Sequence, residues 1–169
     1  MVTGYGLSPE YTVGLNAGFT WKGLSFSMQW VGAANVSRFV YEYYRQPFTN
    51  SGSRGLLSFH YDNAWTFDNQ AGTYPRPSDI TDYNNWNYNS STLWLMDSSY
   101  IRLKNLTVGY TFTDAALKKA GISSLGITLS GYNLLTFTNL KFVDPESVPN
   151  NQGAYPLVKL YSLGVNINF

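Results

Sequence analysis

Tyr11-Thr12-Val13-Gly14-Leu15-Asn16-Ala17-Gly18-Phe19-Thr20-Trp21 is the stretch on which the reading of the whole chain turns. Its odd positions are aromatic or aliphatic and its even positions are Thr, Gly or Asn, an alternation of period two without a break. Successive side chains of a strand point to opposite faces, so this pattern predicts a long β-strand with one apolar and one polar face. Lys22-Gly23 supplies a tight turn, and Leu24, Phe26, Met28 and Trp30 then alternate with Ser25, Ser27 and Gln29. The pair reads as one long hairpin.

The same signal recurs three times downstream. Ile101 and Leu103 are followed, after Lys104-Asn105, by Leu106, Val108, Tyr110 and Phe112 in the opposite phase. A β-bulge at that point would account for the switch. Leu125, Ile127, Leu129, Leu135 and Phe137 alternate with Thr128, Ser130, Tyr132 and Thr136, and Asn133 breaks the apolar parity. The last run sets Tyr161, Leu163, Val165, Ile167 and Phe169 against Ser162, Gly164, Asn166 and Asn168. Antiparallel strands are therefore expected near 10–21, 23–34, 99–112, 124–137 and 156–169. Their length exceeds the roughly 5 or 6 residues of soluble sheets and suits the ~9–11 that a tilted strand needs to cross a bilayer.

Composition supports an apolar surround. Charged residues make up only 12% of the chain and aromatics 17%, against roughly 25% charged residues in soluble domains. A net charge of +1 gives no electrostatic reason to expect nucleic acid. The chain has no cysteine, hence no disulfide framework and no thiolate site. No apolar run reaches the ~18 residues of a membrane helix, and mean hydropathy is −0.20. Barrel strands average out near zero in the same way, because lipid-facing and lumen-facing residues alternate.

Connections fall into two classes. Lys22-Gly23 and a short helix over 113–121, with lysines in its last turn and Gly121 after it, are compact. The segments 35–98 and 138–155 are long, aperiodic and rich in Asn, Ser, Gly, Pro and Tyr. Short turns on the periplasmic side and long loops outside is the pattern of outer-membrane barrels, which would put the helix inside and both long loops on the cell surface. Five strands cannot close a barrel, since the smallest have about 8, and Met1-Val2-Thr3-Gly4-Tyr5-Gly6 lacks the basic and apolar parts of a signal peptide. The chain is thus expected to be the C-terminal part of a longer all-β membrane protein, with signal peptide and any plug domain lying elsewhere.

Particular words sharpen this. Asp97-Ser98-Ser99-Tyr100-Ile101-Arg102-Leu103-Lys104-Asn105-Leu106-Thr107-Val108-Gly109-Tyr110 resembles a characteristic stretch of the SusC/RagA-type, TonB-linked outer-membrane transporters of Bacteroidetes. Gly131-Tyr132-Asn133-Leu134-Leu135-Thr136-Phe137, Asp144-Pro145-Glu146, Tyr155-Pro156 and Gly164-Val165-Asn166-Ile167-Asn168-Phe169 are similar to further motifs of that family, in its order. So are Tyr11-Thr12-Val13-Gly14-Leu15-Asn16 followed by Trp21-Lys22-Gly23-Leu24, in the hairpin, and the loop element Thr73-Tyr74-Pro75-Arg76. The resemblance implies a barrel of about 22 strands around a plug. It also implies a SusD-like surface lipoprotein as lid, energy from the TonB complex, and uptake of oligosaccharides or peptides across the outer membrane, with no cofactor and no enzymatic step.

Candidate binding residues follow from the long loop. Trp65, Trp86, Tyr88 and Trp94, with Tyr41, Tyr43 and Tyr44, offer flat rings with polar handles to a glycan or peptide ligand. The alternative for any one ring is packing of the loop on the barrel rim or a lid. Tyr161, Leu163, Val165, Ile167 and terminal Phe169 resemble the signal read by the barrel-assembly machinery. His60 has no nucleophile and carboxylate pattern around it. Asp62, Asp68, Asp79 and Asp82 match no calcium loop, so no metal is expected. The rival fold is a secreted carbohydrate-binding β-sandwich, which shorter strands and a second stacked sheet would reveal.

Overall fold

The computed structural model describes residues 4–48, 55–77, 86–140, 143–147 and 157–169. Strands β1 (Tyr11–Trp21), β2 (Leu24–Ala34), β5 (Tyr100–Phe112), β6 (Ser124–Thr138) and β7 (Leu160–Asn168) form one antiparallel sheet in the order β1-β2-β5-β6-β7. Each pairs with its neighbour along the chain's path across the sheet, as in an up-and-down barrel wall. The bounds agree with the alternation to within one or two residues, except at β7, whose expected start at 156 lies outside the described residues.

Local chemistry explains the joints. Trp21 pairs with Leu24, which leaves a two-residue turn in which Lys22 (φ 46) and Gly23 (φ 85) are both left-handed. That is the hairpin geometry whose twist matches the strands. Gly23 is required there twice over, because a Cβ would also lie 2.6 Å from the Thr111 carbonyl oxygen. The connection after β5 is the helix α3 (Ala115–Lys119). It closes with the Ile122 amide donating to the Leu117 carbonyl and the Gly121 amide to that of Lys118, the six-to-one and five-to-two bonds of a glycine-terminated helix. Asp114 precedes the helix, but its side chain makes no cap.

The phase change in β5 is a register shift. Asn105 lies opposite Gln29 and Leu103 opposite Trp30, so Lys104 is an extra residue against β2. β6 carries its own extra residue opposite that point, between Tyr132 and Leu135. Asn133, the parity breaker, sits there with φ 53, a conformation Asn tolerates better than most residues.

Register assigns the faces. Phe19, Phe26, Val108, Leu129 and Leu163 form one cross-strand row, and Trp21, Leu24, Tyr110, Ile127 and Val165 the next. The opposite face carries Gly18, Ser27, Thr107, Ser130 and Ser162 in one row and Asn16, Gln29, Asn105 and Tyr132 in another. The large apolar side chains of the first face are exposed or half-buried, Leu103 excepted: Leu163 is 70% accessible and Val165 61%. Among the described residues no second sheet stacks on these strands, and the buried apolar residues belong largely to the long loop. A sandwich would have put its core under the sheet.

The long connection from β2 to β5 is more ordered than its lack of period suggested. Its two ends pair as β3 (Ser37–Phe39) and β4 (Leu95–Asp97). Between them lie the short helices α1 (Glu42–Arg45) and α2 (Ser58–Asn63) and single turns at Trp86–Tyr88 and Thr92–Trp94. No helix among the described residues is long and apolar enough to cross a membrane.

Candidate functional site

At the end of the sheet that bears the long connections, two structures meet: the aromatic loop and an ionic cluster on the polar face. Trp94 is the centre of the loop's own core. It is fully buried, donates its indole N–H to the Asn87 carbonyl (2.8 Å), and stacks with Tyr74 (5.4 Å) and Tyr88 (6.2 Å). Val40 packs with Tyr88 and Trp94, and Tyr44, Tyr74 and Met96 surround them. Tyr88, 2% exposed, donates its hydroxyl to the Arg76 carbonyl at 3.1 Å.

The expected ligand-facing rings therefore separate. Tyr88 and Trp94 present no free ring face and hold the loop together, because a loop with backbone folded over itself needs its largest apolar surfaces inside. Trp65 remains exposed at 43%, with Phe67 5.7 Å away. The backbone between them is fixed by Thr66 and Asn69, whose amides donate to each other's carbonyl at 3.1 Å. Trp86 lies in a single helical turn, and its side chain falls outside the described residues.

His60 is buried at 3% exposure. The Leu57 amide donates to its Nδ1 at 3.3 Å, so Nδ1 is the unprotonated nitrogen and the ring is neutral in this arrangement. Burial pulls its pKa below the ordinary imidazole value, and the Tyr44 and Arg45 backbone carbonyls oppose that. The His60 Nε2 is buried without a hydrogen-bond partner among the described residues. Asp62 and Asp68 join no group of three metal-ligating side chains among the described residues, and Asp79 and Asp82 lie outside them.

The ionic cluster was not expected from the sequence. Arg102, on the polar face of β5, is 1% exposed. Its Nη2 contacts Asp144 Oδ2 at 2.5 Å, its Nη1 lies 3.1 Å from Glu146 Oε2, and its Nε donates to Thr136 Oγ1 at 2.8 Å. Lys104 reaches Glu146 at 2.6 Å, since the bulge turns its side chain to the same side. The Tyr100 hydroxyl donates to Glu146 at 3.2 Å, and Arg38 donates to the Ser147 carbonyl. The 144–147 turn is thus pinned onto the polar face of the sheet. Two cations on a face otherwise made of uncharged residues were a signal that carboxylates must come to meet them, and Asp144 and Glu146 are the only acidic residues of 138–155.

Tyr161, Leu163, Val165, Ile167 and Phe169 lie in or directly after β7, all exposed. The register aligns the first four with Gly131, Leu129, Ile127 and Leu125 of β6.

No family model matches the chain. Two curated relatives from Formosa agariphila do. It is 29% identical over 175 residues to TonB-dependent receptor P3, covering 96% of this chain and 16% of that protein. With TonB-dependent receptor P26 the identity is 26% over 176 residues, covering 95% and 17%. The chain therefore spans about one sixth of the length of these relatives. Among solved structures it is similar to the RagAB peptide transporter, with TM-score 0.71 and 26% identity over 96% of this chain and 17% of that one. The RagAB peptide importer in its "open-open" state gives TM-score 0.70 at the same identity and coverage. Strand topology, two-faced register and these likenesses converge: over nearly its whole length the chain is similar to a segment of SusC/RagA-like TonB-dependent transporters.

Proposed function

We propose that the five strands are a section of the wall of an outer-membrane importer that takes up oligosaccharides or peptides. Within it the apolar face meets lipid and the polar face meets the lumen. The observation that carries this reading is a single-layer sheet of membrane-length strands with one continuous exposed apolar face. Eleven residues of β1 at about 3.3 Å each, tilted by about 45°, rise about 26 Å, the height of the apolar band of such barrels. The likeness to the TonB-dependent receptors and to RagAB supports the same reading. The end with Lys22-Gly23 and α3 is then periplasmic, and the end with 35–98 and 138–155 faces outward, where solutes arrive.

In that placement the remaining barrel and plug complete the pore, TonB supplies energy through another part of the transporter, and a SusD-like lipoprotein covers the outer mouth. Trp65 is the described loop ring offered to the ligand. Tyr161, Leu163, Val165, Ile167 and Phe169 form the stripe offered to the assembly machinery. The role is transport and not catalysis.

Uptake by the complete transporter tests the proposal. Deleting 59–89 should leave a barrel that reaches the surface at normal levels, because no residue of the five-stranded sheet is touched, but that imports its solute poorly. Unchanged uptake at equal surface level would remove the loop from recognition.

A further inference from the structure

Among the described residues the charges of the ionic cluster do not balance. Three cations, Arg38, Arg102 and Lys104, meet two carboxylates, Asp144 and Glu146, so one positive charge is left over. Glu146 is shared by Arg102, Lys104 and the Tyr100 hydroxyl, and Asp144 is held by Arg102. Arg38 is the remainder. Its Nη1 donates to the neutral Ser147 carbonyl, and its buried Nε has no partner among the described residues. No carboxylate among the described residues lies within ion-pair distance of it.

Beside it stands a second unused donor. Ser98 is 0% exposed, and its amide is taken by the Val36 carbonyl at 2.9 Å. Its hydroxyl has no partner among the described residues. Arg38 and Ser98 line one cleft of about 520 Å³ on the polar face, with Val31, Ala33, Val36 and Pro145 among its apolar walls and Tyr100 and Glu146 among its polar ones. Buried donors without acceptors are uncommon in folded proteins. A guanidinium edge beside a hydroxyl suits the oxygens of a carboxylate; Glu146 also lines the cleft, but its charge is taken up by Arg102 and Lys104, and the one surplus positive charge suits a monoanion.

We infer that this cleft is a carboxylate subsite, in which Arg38 pairs with the carboxylate of the imported solute and the Ser98 hydroxyl donates to the same group. The inference rests on the importer reading and narrows its substrate to acids: the free C-terminus of a peptide or the uronate of an acidic glycan. Burial holds the Arg38 pKa below the ordinary guanidinium value, with Tyr100 and Asp144 opposing, and a bound carboxylate would oppose it further.

Calorimetric binding to the purified complete transporter tests this with two pairs of probes. One pair is N-acetyl-pentaalanine with a free or an amidated C-terminus, and the other is tetragalacturonate or its methyl ester. One acid should bind about 10-fold or more tighter than its neutral counterpart, as expected for a charge-assisted hydrogen-bonded pair, and which acid does so identifies the source. Arg38→Met should abolish the preference, and Arg38→Lys should restore part of it. Ser98→Ala should weaken the acid about 3- to 10-fold while leaving Tm unchanged, since the hydroxyl serves no protein group. Equal binding of acid and neutral forms in both pairs, or a preference that survives Arg38→Met, overturns the site. A lower Tm for Ser98→Ala with unchanged binding overturns it too, by assigning the hydroxyl to the fold. Binding is read on isolated protein and transport in cells, so absence of energy-dependent uptake alongside an intact acid preference refutes the importer reading alone.

Discussion

Replacing Arg102 by Met should release the 144–147 turn without unfolding the sheet. Met fills much of the volume of the arginine stem and needs no polar partner, so the strand around it keeps its packing. The turn loses two charge-assisted contacts, at 2.5 Å to Asp144 and 3.1 Å to Glu146. The first is a hydrogen-bonded ion pair and contributes about 1.5–3 kcal/mol; the second is an ion pair without hydrogen-bond geometry and adds less. Both carboxylates, however, keep 18% side-chain exposure and regain hydration once freed. Glu146 also retains Lys104 at 2.6 Å. The net loss is therefore set at about 2–3 kcal/mol for the turn. The readout is amide exchange at Glu146 and Ser147, whose N–H groups are held by Asp144 Oδ1 (2.9 Å) and the Asp144 carbonyl (3.0 Å). Local opening made easier by that amount speeds exchange about 30- to 150-fold, while amides of β5 and β6 away from the site keep their protection. Unchanged exchange at Glu146 and Ser147 would refute the latch. Loss of protection throughout the sheet would show that Arg102 supports the wall itself.

Four further outcomes are expected of the complete transporter. Val165→Arg should lower barrel stability by about 2–4 kcal/mol if it lies near the midplane, whereas Asn166→Arg should change it little, as read by urea titration of the folded gel band. Trp94→Ala should cost the loop about 3–5 kcal/mol by emptying its core, seen as rapid exchange around β4, while Trp65→Ala should leave loop protection intact and weaken ligand binding. His60 has a lowered folded pKa against an unfolded value of 6.5. Its contribution is therefore fully present above pH 6.5 and is lost as pH falls below that, because the unfolded loop takes up the proton more readily; the protection factor of the Leu57 amide, corrected for the intrinsic exchange rate, should fall as pH drops from 7.5 to 5, and His60→Asn should flatten that fall. Gly23→Val should destabilise the β1–β2 hairpin, since Val must adopt φ 85 with its Cβ 2.6 Å from the Thr111 oxygen, and refolding yield into detergent is the assay.

The sheet was legible because a strand of eleven residues repeats its period-two signal often enough to exclude coincidence, and because the same face stays apolar from strand to strand. The bulge at Lys104 was legible for the same reason, as a phase slip between Leu103 and Leu106. Strands β3 and β4 were not: three residues hold no period, and their partnership is fixed by the return of the chain. Composition identified the loop rings but not their sides, so Tyr88 and Trp94 were indistinguishable from Trp65 until their burial was known. The ionic cluster joins Arg102 to Asp144, 42 residues apart, and pairing over such a distance leaves no local pattern. What the sequence did contain was the anomaly of Arg102 and Lys104 among small neutral residues.

The central claim is that one face of this sheet meets lipid and the other a water-filled lumen. Spin-label accessibility on the complete transporter in bilayers tests it most directly, with single labels at 129 and 163 compared against 128 and 162. Leu129 and Leu163 lie in one cross-strand row, and Ser162 and Thr128 on the opposite face. Labels at Leu129 and Leu163 should be relaxed strongly by oxygen, which partitions into lipid, and weakly by a water-soluble nickel chelate. Labels at Thr128 and Ser162 should show the reverse preference. Chelate access at all four positions, or no difference between adjacent residues, would contradict a membrane-spanning wall.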